Sequence, residues 1–306
     1  MVSKMHILVL GATGFIGRSL VSRLVDKNHT VYAHYRSKPP APKTGVVVFR
    51  DYQDISLDQP IDVVINLAGC PIASIWTNRY KQKLMNSRVM TTRLLNAWLK
   101  KRPTPPKLVV AASAIGYYGS TRDGLLDEDT SIDPNQSFSS QLCDQWEKES
   151  LDIQSIVNRV VLLRLGVVLG KSGGMMEKLW WPNYLGLGSV IGEGRQILSW
   201  IHIHDVISAI EFILTHENLV GPVNLTAPNS VSQATFSKDL AAVMMRPLWL
   251  RIPSCVLHFS LGDMAKELLL TGAAVYPKKL EKAGFDFQFP KLTAALKDIV
   301  AGHDDS

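Results

Sequence analysis

Short apolar runs alternate with amphipathic stretches along most of the chain. The first run, Ile7–Leu10, stops at Gly11. A helical pattern follows, with Phe15, Ile16, Leu20, Leu24 and Val25 on one side and Arg18, Ser19, Arg23 and Asp26 on the other. An apolar run halted by glycine ahead of such a pattern predicts a buried parallel strand feeding a helix. Further strands are predicted at Thr30–Tyr35, Val46–Phe49, Asp62–Leu67, Lys107–Ala112, Arg159–Leu165 and Val223–Thr226. Between them, Arg79–Lys101 is one long helical pattern, with Leu84, Val89, Leu94, Leu95 and Trp98 on its apolar side, and Phe138–Trp146 is a second. Past Asn229 the pattern turns to helices and short connections, through Phe236–Met244, Val256–Leu270 and Ala294–Val300. Strands alternating with helices predict an α/β fold, a doubly wound parallel sheet. Residues 1–170 and about 200–227 are assigned to it. Residues about 171–199 and 228–306 are assigned to a smaller, mostly helical substrate domain.

The glycines carry the first chemistry. Gly11, Gly14 and Gly17 stand three apart where strand becomes helix. Gly11 permits the tight turn, Gly14 lets a pyrophosphate approach the backbone, and Gly17 lets helix and strand pack closely. The turn and helix start, with Thr13, Phe15 and Ile16, then present amides to phosphate oxygens at the positive end of the helix dipole. The end of the second strand decides which dinucleotide. NAD-specific folds place an acid there for the ribose hydroxyls. This chain offers His34-Tyr35-Arg36-Ser37-Lys38 with no carboxylate, so Tyr35, Arg36 and Lys38 are assigned to a 2′-phosphate, and NADP(H) is predicted over NAD(H). A merely solvated basic turn is the alternative. Asn66-Leu67-Ala68-Gly69 closes the fourth strand in a small-residue turn, where an open parallel sheet binds ligand, and Leu67–Gly69 is expected to contact the cofactor.

Composition narrows the class. The 306 residues are 46% hydrophobic and 20% charged, ordinary for a globular protein. The net charge of +6 is not gathered into a basic stripe, which argues against nucleic acid as partner. Cys70, Cys143 and Cys255 are odd in number and lack CxxC spacing, so reduced thiols are expected and no metal site is assigned. No run approaches the ~18 apolar residues of a membrane span, and a cytoplasmic location is expected.

The spacing Gly-Ala-Thr-Gly-Phe-Ile-Gly resembles the extended, sugar-nucleotide-epimerase branch of the short-chain dehydrogenase/reductase superfamily. The likeness continues through the Asn66–Gly69 turn, Ser113-Ala114-Ile115-Gly116-Tyr117-Tyr118-Gly119 and Trp200-Ile201-His202-Ile203-His204-Asp205. With Trp146-Glu147 and Lys278–Phe285, it covers nearly the whole chain and is similar to a group called epimerase family proteins, which carry a C-terminal domain of unknown function. The resemblance implies a Rossmann-like fold and a nicotinamide cofactor. It also exposes departures. Ala114 occupies the branch's catalytic Ser/Thr place, with Ser113 one residue early, and Ser139 and Cys143 stand where Tyr-x-x-x-Lys belongs. Arg88 replaces a typical Asn and is assigned to the pyrophosphate or nicotinamide end, with an interhelical or surface pair as alternative. Gly166 follows the sixth strand, where the branch's backbone passes the nicotinamide carboxamide. Family precedent makes His202 and Asp205 structural. Segments Ser172–Met176 and Leu185–Ile197 have the composition of a substrate cover.

Two functions remain. One is an NADP(H)-dependent oxidoreductase or epimerase with a rebuilt site, in which Tyr117 is the acid–base candidate and Ser113 orients it or a small-molecule substrate such as a nucleotide sugar. The other is an NADP(H)-binding regulatory or sensor protein without hydride chemistry. A homodimer through helices near 79–101 and 138–156 is a further expectation.

Overall fold

The structure is a computed structural model, described over residues 4–36, 43–119 and 121–302. Seven parallel strands form one sheet: β1 His6–Leu10, β2 Thr30–His34, β3 Val46–Phe49, β4 Val63–Asn66, β5 Leu108–Ala114, β6 Arg159–Leu165 and β7 Gly221–Leu225. Their spatial order is β3-β2-β1-β4-β5-β6-β7. The order reverses between β1 and β4, and the crevice beyond their carboxyl ends is where doubly wound folds bind dinucleotides. The predicted Rossmann-like sheet is therefore present.

Alternation within the strands divides the core. Ile7 and Val9 of β1 join one apolar layer with Leu20 and Leu24 of α1 (Phe15–Asp26) and Val206 and Ile210. Leu8 and Leu10 join the other, with Leu95, Trp98 and Leu99. A third cluster, built on Trp200, Phe236, Phe289, Leu296 and Ile299, ties the C-terminal helices together.

Several predicted elements differ in extent or continuity. The long helix is α2 (Asn78–Met85), a π-helical turn over Asn86–Met90 and α3 (Thr91–Leu99). In that turn the Ser87 hydroxyl donates to Leu84 O, and Arg88 turns inward. The second helix, α4, spans Phe138–Leu151. In the segment assigned to a substrate cover, α5 (Gly174–Tyr184) intervenes. Finally, the pattern at 256–270 is two helices, α6 (Ser254–Leu261) and α7 (Asp263–Leu268), broken at Gly262, whose φ of +57° no continuing helix allows. No described helix is long and apolar enough to cross a membrane.

Candidate functional site

At the carboxyl edge of β1, Gly11 has φ +78°, and a Cβ there would lie 2.6 Å from Leu67 O, so the β1 and β4 turns meet at this residue. Gly14 closes the turn, its amide donating to Gly11 O at 2.9 Å, and then precedes α1 with no side-chain cap. The first amides of α1 thus lack side-chain partners, and no acid stands in its first turn. Gly17 is the tightest of the three, with a Cβ position 2.1 Å from Gly11 O. Thr13 and Gly14 are exposed, whereas Phe15 and Ile16 are half-buried. The Phe15 ring faces away from the turn, against Gly170, Gly173 and Gly174, where added Cβ atoms would come within 2.7–3.2 Å of it. Phe15 and Ile16 can offer a phosphate their backbone only.

Past β2, Tyr35 is half-buried with its amide on Phe49 O, and Arg36 is exposed with no partner among the described residues. Lys38 lies outside the described residues. The fold brings up an acid that the local sequence lacked, Asp51, near enough to act on His34, but it is engaged in a capping box with Asp54.

The β4 turn is fixed from below. Buried Asn66 donates to Thr92 Oγ1 and accepts from the Ala68 amide. Leu67 and Ala68 are half-buried and Gly69 is exposed. Arg88, only 9% exposed, reaches from the π turn to this edge, donating to Cys70 O at 3.1 Å and more distantly to Leu84 O and Ser87 Oγ. A Cβ on Gly69 would lie 3.2 Å from its Cζ.

Beside β5 the site is made of side chains. Ser113 is buried in the strand, and its hydroxyl donates to Glu147 Oε1 at 2.6 Å. Glu147, on α4, holds Arg164 of β6 in a bidentate pair, Nε and Nη2 each at 2.8 Å. Burial opposes the charge on Arg164, but Glu147 and the Tyr118 hydroxyl outweigh it and hold the guanidinium firmly protonated. Arg164 Nη1 donates to Tyr118 OH, which donates to Asn224 Oδ1 at 2.8 Å. Burial pushes the Tyr118 phenol up to about 12. Asn224 in turn donates its amide to buried Glu128. Ser113 is expected to orient Tyr117 or the substrate and to meet the cofactor; its hydroxyl is enclosed and bound to Glu147.

Tyr117 is placed differently. It is half-buried, with Arg164 Cζ 3.4 Å from its ring centroid and Tyr118 edge-on at 5.5 Å, and its hydroxyl makes no hydrogen bond among the described residues. Ser139 and Cys143 both flank Gly116, whose Cβ position is 3.2 Å from Ser139 Cβ and 3.6 Å from Cys143 Sγ. Cys143 is sealed off, and burial pushes its thiol up to about 12, so it offers no thiolate. Ser139 donates its hydroxyl and its amide to Glu267 of α7, which also accepts the Phe138 amide.

Gly166 is required by packing: its amide donates to Leu225 O, and a Cβ would lie 2.8 Å from Ser199 O. His202, His204 and Asp298 lie close enough to suggest a metal. However, His202 Nδ1 accepts the His204 amide, which leaves the ring proton on Nε2, facing Asp298 Oδ2 at 3.4 Å. A metal at Nε2 would force a proton onto Nδ1 against that amide. Asp205 accepts the amides of Gln288 and Phe289 and so holds the C-terminal segment.

Sequence reasoning missed the roles of Arg164, Tyr118, Asn224 and Glu267. Arg164 had a signal: a charge within the apolar run of a central strand requires a buried partner.

The model of the NAD dependent epimerase/dehydratase family matches residues 7–225, and that of a domain of unknown function, DUF1731, matches 252–299. The chain is 34% identical to the chloroplastic SDR39U1 homolog, an epimerase family protein of Arabidopsis thaliana, over 97% of this chain and 87% of that one. It superimposes with TM-score 0.87 and 32% identity on human epimerase family protein SDR39U1 (isoform 2), solved with NADPH, covering 97% of this chain and 100% of that one. A nucleoside-diphosphate sugar epimerase from Corynebacterium glutamicum follows at TM-score 0.77 and 27% identity, covering 99% of this chain and 59% of that one. From its glycine turn to its C-terminal domain, the chain belongs to the NAD dependent epimerase/dehydratase family, among its epimerase family proteins.

Proposed function

We propose that the protein binds NADP(H) along the carboxyl edge of β2, β1 and β4 and uses it in oxidoreductase or epimerase-type chemistry on a small molecule. One observation carries this reading: the uncapped start of α1, free of acids, is opened by Gly11 and Gly14 and packed to its limit at Gly17. The backbone from Thr13 to Gly17 would hold the pyrophosphate, Leu67–Gly69 would line the adjoining ribose, and Arg36 beside Tyr35 would meet the 2′-phosphate. That human SDR39U1 was solved with NADPH supports the same cofactor here. When bound, the nicotinamide supplies or accepts a hydride. The chain's own contribution would be Tyr117, whose unengaged hydroxyl stands at the end of β5 and whose ring is fixed on Arg164.

A second reading, a dinucleotide-binding sensor, is favoured by the enclosed Ser113 hydroxyl and the buried Cys143 thiol. The two separate in one assay. NADPH oxidation is followed at saturating cofactor against a panel of nucleotide sugars, aldehydes and quinones. Turnover that Tyr117→Phe lowers about 100-fold or more supports the enzyme. Binding without turnover favours the sensor, and no heat of binding at millimolar NADPH removes both.

A further inference from the structure

Arg88 is a buried cation at the ligand edge without an anion. Among the described residues, no carboxylate lies within 4.0 Å of its guanidinium, and all three of its hydrogen bonds go to uncharged acceptors. Three contacts use three of five N–H donors, and Nε–H is not among them. The Trp146 ring lies 5.2 Å away, and its Nε1–H, also buried, has no acceptor either. Unused donors and positive charge therefore gather here with no anion beside them. Leaving a cation out of water without a counter-ion is costly. Arg102 is also buried without an ion pair and its Nε has no acceptor, but it lies past the end of α3, away from the β1–β4 turns, bonded to Ser56 O and Gln59 O and stacked on Trp98.

We infer that Arg88 is the receptor for an anionic group, a carboxylate or phosphate, on the second substrate. The inference rests on the proposed cofactor site for its sense of direction. The pyrophosphate belongs to the start of α1, over β1. Arg88 lies beyond Gly69 at the end of β4 and against Trp146 of α4, on the side where the nicotinamide and substrate meet. Gly69 completes the receptor by leaving the face of the guanidinium uncovered. The π turn supplies the reach, since it rotates Arg88 out of the α-helical register and inward.

The test uses the full chain with malonate and inorganic phosphate as probes, each titrated by thermal shift with and without saturating NADPH. Wild type is expected to be stabilised saturably by at least one of them. Arg88→Gln should weaken that response tenfold or more and leave the NADPH Kd within threefold. Its cofactor-free Tm should equal or exceed that of wild type, because a buried charge has been removed. Should Arg88→Gln not fold, Gly69→Ala takes its place: a methyl over the guanidinium should abolish the anion response with the cation still present. The inference is overturned if neither anion stabilises wild type. It also fails if Arg88→Gln weakens NADPH tenfold or more, which would assign the cation to the pyrophosphate. Failure of NADPH to bind at all would instead sink the cofactor reading, with the cofactor-free titration still deciding on Arg88.

Discussion

The two halves of the ligand edge are built from different materials. Over β1 the site is backbone: a turn, a helix start and glycines whose value lies in the side chains they lack. Over β5 and β6 it is a chain of buried polar side chains running from Ser113 through Glu147, Arg164 and Tyr118 to Asn224. A backbone site can be lost by substitution mainly at its glycines, because its N–H and C=O groups are shared by nearly every residue type. A side-chain network can be rewired one residue at a time, provided each buried group keeps a partner. The glycine turn is present in this chain, and no Tyr-x-x-x-Lys occurs in it.

The comparison can be broken at its strongest point. Glu147→Ala should cost about 3–5 kcal/mol in urea denaturation, because it strands a buried guanidinium. The double variant Glu147→Met with Arg164→Met should recover most of that loss. If the single variant costs under about 1 kcal/mol, the network does not hold the wall together. Gly17→Ala should cost less, about 1–3 kcal/mol, while removing most NADPH binding, since the turn must open to admit a methyl. Equal NADPH affinity in that variant would show that the glycine packing is unrelated to the cofactor. Arg36→Ala should weaken NADPH about tenfold and leave NADH unchanged, read by fluorescence titration.

The effect that is smallest at neutral pH lies away from both halves. Burial lowers the pKa of His202 to about 3, from 6.5. Above 6.5 both folded and unfolded forms carry it neutral. As pH falls from 6.5 toward about 3 only the unfolded chain takes the proton, so stability is lost over that window, at up to about 1.4 kcal/mol per pH unit. His202→Asn, which can still accept the His204 amide, should flatten this acid limb. An unchanged limb would mean that His202 is charged in the fold.

The same contrast decides how much was legible in the sequence. The strands, their order of appearance and the glycine turn follow from apolar runs and spacing, because local pattern encodes them. Arg88 was singled out as a substitution, but its inward turn depends on a π-helical residue that helical periodicity cannot show. Ser113 was assigned to orient Tyr117 or the substrate, and its bond to Glu147 was not foreseen, because spacing gives a residue's place along a strand and not its partner. Glu147, Arg164 and Tyr118 come from three separate elements, and only the packed sheet brings them together. Glu267 was beyond any local reading, since its contacts are 128 and 129 residues away.

That last contact orders events during synthesis. The opening turn of α4, which frames the proposed chemistry, receives two amide acceptors from Glu267, translated 129 residues after Phe138. A nascent polypeptide stalled before α7 should expose that turn to limited proteolysis, and release of the final segment should close it. The wall beside β5 is thus completed only after the glycine turn that follows β1 has long been translated.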